Sequence, residues 1–322
     1  MIRQQAFINK NGMLKGALHC HTTRSDGAAT PKQALEIYKE HGYDFVAITD
    51  HKKYNFINFA PETGLLVIPA TEYDAVIEKD AYGRRVHHTV CLGPLKEDGN
   101  GFNQDDFGPE RPDSAVTNEM YQVYLDEIHA KGNLTIHAHP EWSNTPPAMF
   151  EKLQGNVAME VCNTGGALEY DMDCDNGVYW DELLGKGYKL WGVAADDAHG
   201  LRQFGKGWVM VNAEKNVNSV LEAIREGKFY STTGPEIYDF YVDDDNTAHI
   251  ECSPAAKIRL HGIKHPTRIQ RADGELLTKA QFKLETKTGL YEYCRISVID
   301  ANGNIAWTNP IFLHGKFYNK EL

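Results

Sequence analysis

Short apolar runs recur along the first 235 residues, and each lies next to polar side chains of the kinds that bind metal ions. The seven runs lie at 13–18, 44–51, 65–70, 87–93, 133–140, 156–163 and 190–200. Six carry their polar residues at the carboxyl end, whereas His87 and His88 open the fourth run. Helical patterns separate several of the runs. This alternation predicts βα units and a parallel sheet, in which a site forms where the strands end.

Helix-end signals locate three of the helices. Thr30 and Pro31 begin the first helix, and Gly42 closes it. A second helix is predicted over about 118–131, and a third over about 218–226, ending at Gly227. The run GWVMVNA is expected to form an edge strand.

The pattern changes after about residue 235. Six strand-like runs follow one another without helices, and Cys294, Ile296 and Val298 alternate with polar residues. Turn signals, including Asp273-Gly274, separate the runs. We therefore predict two domains, a barrel over 1–235 and a small all-β sandwich over 236–322.

The composition of the chain limits the classes of molecule that it is expected to bind. The chain has 322 residues, is 42% hydrophobic and carries a net charge of −12. This charge argues against non-specific binding to nucleic acid or to an anionic membrane, both of which depend on Lys and Arg. The six cysteines are scattered and the first residues carry no signal-peptide pattern, so reduced thiols and a cytoplasmic location are expected. The stretch 93–117 is acidic and rich in Gly and Pro, which favours a solvated insertion over a lid.

Histidines concentrate in or directly after the apolar runs. Eight of the 14 lie there, at positions 19, 21, 51, 87, 88, 137, 139 and 199. His19 and His21 are two residues apart on a strand, so both side chains point to one side, and Asp26 follows in a turn. Histidines and carboxylates at several strand ends indicate a site for more than one metal ion.

The order of these motifs resembles the PHP (polymerase and histidinol phosphatase) superfamily. The resemblance rests on H-x-H, S-D-G, T-D-H, a strand-end Glu, a His before an apolar run, H-P and D-x-H, all between Gly16 and about Gly234. It implies a distorted (β/α)7 barrel that holds two to three divalent ions such as Zn, Mn or Fe. The stretches FYSTTGPEI and AWTNPI are also similar to PHP proteins in which an immunoglobulin-like sandwich follows the barrel.

The resemblance also implies a set of ligands. His19, His21, Glu72 and Asp197 would hold a first ion, and Glu72 would bridge to a second. His88 and His139 would hold the second ion, and Asp26, His51 and His199 a third. His87 competes with His88 and Asp196 with Asp197; the apolar run after His88 and the D-x-H spacing favour the choices made. His137 and Asp50 are expected to orient ligands.

The implied activity is hydrolysis of a small phosphorylated substrate through a hydroxide that bridges two metals. Glu72, Asp197 and His199 are the expected catalytic residues. Arg24, Arg202 and Asn163 are the expected substrate residues, with Lys52 as a weaker choice. Three alternatives remain open: hydrolysis of a non-phosphate ester, carbamate or amide; a nuclease; and a binding protein.

Overall fold

The computed structural model describes residues 2–6, 12–80, 83–94, 115–172, 174–262, 268–284 and 292–313. Most of the predicted insertion at 93–117 therefore lies outside the described residues. The helices are α1 Pro31–Glu40, α2 Asn118–Ala130, α3 Pro147–Phe150, α4 Thr164–Tyr170, α5 Gly177–Gly185 and α6 Val217–Glu226, with a 3-10 turn at Pro61–Thr63.

The strands before residue 235 are β1 Ile2–Gln5, β2 Leu14–Ala17, β3 Phe45–Ala47, β4 Leu66–Ile68, β5 Ala70–Asp80, β6 Gly83–Leu92, β7 Leu134–His137, β8 Asn156–Asn163, β9 Trp191–Ala195, β10 Trp208–Val211 and β11 Phe229–Thr232. Those after it are β12 Ile237–Asp243, β13 Thr247–Ala255, β14 Lys257–His261, β15 Arg268–Arg271, β16 Leu277–Lys283, β17 Tyr293–Ile299, β18 Ile305–Thr308 and β19 Ile311–Phe312.

Parallel pairing holds for part of the first region. Strands β2, β3 and β4 pair in parallel, and so do β7, β8 and β9. Between them, β5 and β6 form an antiparallel hairpin, and β6 also pairs antiparallel with β7. The mixed α/β class is confirmed, and the seven-unit barrel stays a prediction.

The reversed direction of β6 explains why the fourth run differs from the others. Because β6 runs antiparallel to β7, its residues 89–92 pair with β7, and Thr89 faces His137 at the end of β7. His88 therefore reaches the same end of the sheet as the residues that close the parallel strands. The prediction of parallel pairing was wrong for this run, because β6 pairs antiparallel with both β5 and β7.

The predicted helix ends are present. Thr30 accepts a hydrogen bond from the Gln33 backbone, and the Gln33 side chain accepts one from Thr30, which completes a capping box. Gly227 closes α6 with a φ of 74°. A Cβ at Gly227 would lie 2.6 Å from the Trp191 ring, so both the backbone and the packing require glycine there.

The residues after 235 form two sheets, one containing β12, β13 and β16 and the other β14, β15, β17 and β18. They enclose a core that includes Phe240, Ile250, Ile258 and Ile296. The second sheet continues into the first region, because β18 pairs with β11 and β11 with β10. Strand β10, expected at an edge, therefore lies inside the sheet, between β11 and β2. Strand β1 pairs with β12, so the first residues join the later sheet.

Buried polar contacts also link the two regions. Arg295 of β17 is buried and donates to Asp181 of α5 through Nε (2.7 Å) and Nη2 (2.6 Å). Asn309 accepts from the Gly192 backbone N–H at 3.0 Å. The domain boundary at residue 235 stays a prediction, and the hydrogen-bonded sheet crosses it.

Two cysteines differ from the expectation of reduced thiols. Cys162 of β8 and Cys174 form a disulfide, and the other four cysteines are free and buried. Scattered spacing in the sequence gave no sign of this pair, because the chain folds back after α4 to bring residue 174 beside β8. None of the helices in the described ranges is long and apolar enough to cross a membrane.

Candidate metal centre

Glu72 lies at the centre of the cluster. It is 1% exposed, and five histidine rings surround its carboxylate. Its Oε1 lies 2.9 Å from His88 Nδ1 and 3.0 Å from His139 Nε2. Its Oε2 lies 3.2 Å from His21 Nε2, 3.3 Å from His51 Nδ1 and 3.4 Å from His19 Nε2. The two oxygens thus face two separate groups of imidazoles.

Asp197 completes the group on the Oε2 side. Its Oδ1 lies 3.1 Å from His19 Nε2 and 3.2 Å from His21 Nε2, and these two nitrogens are 3.2 Å apart. Four donors at 2.1 Å from one tetrahedral ion would lie about 3.4 Å from each other. Asp197 Oδ1 is buried and has no hydrogen-bond partner. These residues therefore fit a divalent ion.

A third group is more open to solvent. His21, Asp26, His51 and His199 place one ligand atom each within 4.8 Å of one another. His199 Nε2 lies 3.5 Å from Asp26 Oδ1, and His51 Nε2 lies 3.7 Å from Asp26 Oδ2. The Asp26 side chain is 53% exposed. It contains the three residues predicted for the third ion, with His21 beside them.

Two of the predicted ligands hold unusual backbone conformations. His139 has a φ of 26° and Asp197 a φ of 47°. Non-glycine residues at positive φ cost about 1–3 kcal/mol and concentrate at functional sites. The surrounding contacts hold both residues in place, since His139 N–H donates to Glu160 at 2.8 Å and Asp197 N–H to the His19 carbonyl at 3.0 Å.

The pKa of each histidine and carboxylate in the cluster depends on the charges of its neighbours. Burial lowers the pKa of His21, but the neighbouring Asp197 and Glu72 carboxylates outweigh burial and raise its pKa to about 10. Burial alone would raise the pKa of Glu72, yet the nearby histidines bring it well below its usual value. The carboxylates therefore stay ionised and attract cations, so a metal ion would displace protons from the histidines when it binds.

Glu160 orients several of these ligands, and the sequence analysis did not select it. Its Oε1 accepts from His19 Nδ1 at 2.7 Å, and its Oε2 accepts from the His139 backbone and from Asn163 Nδ2, both at 2.8 Å. An ionised carboxylate is an acceptor only, so His19 carries its proton on Nδ1 and directs Nε2 at the cluster. The signal in the sequence was a charged residue inside the apolar run NVAMEVCN.

Side-chain direction decides between the two members of each pair that the sequence left open, His87 or His88 and Asp196 or Asp197. His87 points to the opposite face of β6 from His88, where it bonds to Asn118 Oδ1 at 2.9 Å. Asp196 faces away from the cluster and accepts from the backbone N–H groups of Lys206 and Gly207, both at 2.7 Å. His88 and Asp197 are the members that join the cluster.

The two residues expected to orient ligands differ in position. Asp50 accepts from the Thr22 backbone at 2.6 Å and from Ser25 Oγ at 2.9 Å, so it holds the loop that carries His21 and Asp26. His137 instead bonds to Thr145 Oγ1 at 3.2 Å and stacks on Phe150, away from the cluster.

Two cavities open onto the cluster. One, of about 340 Å³, is lined by Glu72, Asp197, Tyr170 and the start of α4. The other, of about 430 Å³, is lined by Asp74, Arg84 and Val86. Asp26, His51, His88 and Trp142 line both, so the cavities meet at the metal ligands.

Comparisons with known proteins support the resemblance seen in the motifs. A family model described as PHP-associated matches residues 186–229, which include Asp197 and His199. Over 43 residues the chain is 46% identical to the DNA polymerase/3'-5' exonuclease PolX of Bacillus subtilis. This match covers 13% of the chain and spans only 8% of that relative's length. The resemblance to the PHP superfamily is confirmed.

Two solved structures are also similar to this chain. A two-domain protein from Bacteroides vulgatus, containing a predicted PHP-like metal-dependent phosphoesterase, is 14% identical with a TM-score of 0.48, and the match covers 97% of this chain and 99% of that one. An amidohydrolase from Chromobacterium violaceum is 14% identical with a TM-score of 0.39, and the match covers 58% of this chain and 88% of that one.

The roles expected for Arg24, Arg202 and Asn163 in binding the substrate stay predictions. Arg24 and Arg202 line neither cavity, and the Arg24 guanidinium lies 5.5 Å from the centre of the Phe59 ring. Asn163 reaches the cluster, but its amide donates to Asp197 Oδ2 at 3.1 Å and its oxygen caps α4 by accepting from Gly166. Asn163 thus positions a ligand.

Arg84 is a second residue, after Glu160, that the sequence analysis missed. It is exposed and lies on β6 at an alternate position to Val86 and His88, so the three side chains share one face of the strand. Among the described residues lining the two cavities, Arg84 is the sole arginine or lysine.

Proposed function

We propose that this chain is a metal-dependent phosphoesterase that hydrolyses a small phosphorylated substrate. The observation that supports it most is the Glu72 carboxylate, buried among five histidine rings and facing two ligand groups with its two oxygens. A single ion would need one face only, so a carboxylate used on both sides favours neighbouring ions. When bound, divalent ions would polarise a phosphoryl oxygen and lower the pKa of water.

Residues of this chain supply the proposed metal ligands and orient them. His19, His21, Glu72 and Asp197 would hold the first ion, His88 and His139 with Glu72 the second, and Asp26, His51 and His199 the third. Glu72, Asp197 and His199 are the proposed catalytic residues. Glu160 fixes the orientation of His19, and Ser143 Oγ fixes His139 through Nδ1 at 2.9 Å.

We assign to Arg84 the binding of an anionic group of the substrate. Strand residues rise by about 3.3 Å each, so the backbone of Arg84 lies about 13 Å along β6 from that of His88. The long arginine side chain can span part of this distance. Its cavity meets the cluster at His88 and Trp142. The planar guanidinium can donate two parallel hydrogen bonds, one to each of two phosphate oxygens.

Cysteine chemistry has no support in the structure. The four free cysteines are all buried, and burial raises the pKa of Cys252 to about 12. Burial also raises the pKa of Cys20, the free thiol beside His19 and His21, well above its usual value. Because the thiolate is the reactive form, none of these residues is suited to act as a nucleophile.

A second candidate is hydrolysis of a non-phosphate ester, carbamate or amide by the same centre. It is favoured by the 340 Å³ cavity, which has no arginine or lysine among its described lining residues and so suits an uncharged substrate. A nuclease is less well supported, because the chain carries a net charge of −12.

The test is elemental analysis followed by activity panels. Purified protein is assayed for Zn, Mn and Fe, stripped with a chelator, and reloaded with each metal. We expect phosphate monoesters to be hydrolysed by the reloaded protein and not by the stripped protein. Turnover by the stripped protein would contradict the proposal, and turnover of aryl esters without phosphate esters would favour the second candidate.

A further inference from the structure

Two exposed aromatic side chains stand at the mouth of the metal centre, and the predicted ligand set does not include them. Trp142 is 43% exposed and Tyr170 is 55% exposed. Both line the 340 Å³ cavity, together with Glu72 and His139. Sites for small molecules combine apolar walls with a few converging polar groups, and this cavity has both.

Trp142 packs against two predicted ligands. The centroid of its ring lies 5.0 Å from that of His139, with an interplanar angle of 82°, and 5.4 Å from that of His88, with an angle of 62°; both contacts are edge-to-face. Its loop is closed by a backbone hydrogen bond of 3.0 Å from Ser143 N–H to the His139 carbonyl. The same turn thus positions a predicted ligand and an exposed aromatic ring, which is how a preorganised binding wall is built.

The part of this cavity formed by α4 has little side-chain bulk at its two glycines and carries negative charge. Gly165 and Gly166 form the start of α4, and a Cβ at Gly166 would approach nothing more closely than 3.4 Å. Glu169 is the remaining charged residue outside the predicted ligands among those described in the lining. Glu169 would repel an anionic group here, whereas an uncharged ring would meet no such repulsion.

We propose that the organic group of the substrate is an aromatic ring that binds against Trp142 in this cavity, with Tyr170 at its rim. The inference rests on the proposed phosphoesterase function: the phosphate lies at the metal ligands and toward Arg84, and the ring lies on the α4 side. Trp142 is therefore a specificity-determining residue. Stacking between aromatic rings adds affinity beyond the contribution of buried area. An aliphatic ring of the same size does not gain this additional affinity.

The test compares two phosphate esters of similar size and leaving-group chemistry, benzyl phosphate and cyclohexylmethyl phosphate. We expect the metal-loaded wild type to prefer the benzyl ester in kcat/KM, and Trp142→Leu to reduce this preference about three- to tenfold. Trp142→Phe should retain most of it. Tyr238→Leu is the matched control, because Tyr238 is an exposed aromatic residue on β12, outside both cavities.

Binding of benzylphosphonate and cyclohexylmethylphosphonate, measured by calorimetry, gives a second readout without turnover. The same ratio of affinities is expected to fall in Trp142→Leu while its metal content stays equal to that of wild type. Equal use of the two esters by wild type would overturn the aromatic inference and leave the phosphoesterase proposal intact. Failure of the metal-loaded wild type to turn over any phosphate ester would overturn both. If Trp142→Leu does not fold, the wild-type preference and Trp142→Phe decide the matter.

Discussion

Glu160→Gln is the substitution that tests the architecture of the centre most directly. Glu160 accepts three hydrogen bonds, from His19, the His139 backbone and Asn163. A glutamine has one acceptor oxygen and one donor amide, so it cannot satisfy all three donors. If the amide faces His19, the ring must accept at Nδ1 and carry its proton on Nε2, where the lone pair for a metal should be.

The opposite orientation of the glutamine is also costly. The amide would then face two donors, the His139 N–H and the Asn163 side chain, and leave both unsatisfied. Each buried donor without a partner costs about 1–3 kcal/mol. Loss of an orienting partner typically weakens metal binding 10- to 100-fold, which corresponds to about 1.4–2.8 kcal/mol. We therefore expect Glu160→Gln to lose metal affinity by about that factor.

The assay is competition for Zn²⁺ between the protein and a chelator of known affinity. Glu169→Gln is the control for metal affinity, because it also replaces one glutamate by glutamine, at the cavity beside the predicted ligands, and Glu169 bonds to Gln203. Thermal unfolding of the metal-free proteins separates a loss of metal affinity from a loss of folding. A dissociation constant for Glu160→Gln within twofold of wild type would refute the reasoning.

Three further predictions concern the centre, the link between the regions and the disulfide. Glu72→Gln should lower both metal content and hydrolysis by more than about 100-fold, since loss of an outer partner alone costs 10- to 100-fold; retained activity would show that Glu72 does not bridge. Asp181→Asn should lower the free energy of unfolding by about 3–5 kcal/mol, because it leaves Arg295 buried and unpaired. Arg295→Met should lower it less, since Asp181 is partly exposed; denaturant unfolding that gives the reverse order would contradict this. Thiol titration of the unfolded, unreduced protein should count four thiols, and six would show that Cys162 and Cys174 are reduced.

The Asp181 pair also predicts how stability changes with pH. Burial raises the pKa of Asp181, but the Arg295 guanidinium outweighs it, so the pKa in the folded protein lies below the usual value. A carboxyl with a lowered folded pKa stabilises above its unfolded pKa of about 3.9, and that stability is lost as the pH falls. Asp181→Asn should therefore flatten the acid side of the unfolding profile.

Local patterns were enough to predict the polar ends of the strands and the helix boundaries. The i, i+2 spacing placed His19 and His21 on one side of a strand, and the Thr30 and Gly227 signals marked helix ends that the structure shows. Such features depend on a few neighbouring residues, so a single sequence carries them. The resemblance to the PHP superfamily followed from the same local motifs taken in order.

Tertiary structure decided what depends on residues far apart in the chain. The direction of β6, which brings His88 to the cluster, is set by the hairpin with β5 and by the pairing with β7. Glu160 orients His19 across 141 residues of sequence, and Arg84 reaches the site because it shares a strand face with His88. No short pattern records these relations, because each arises where separate strands pack side by side.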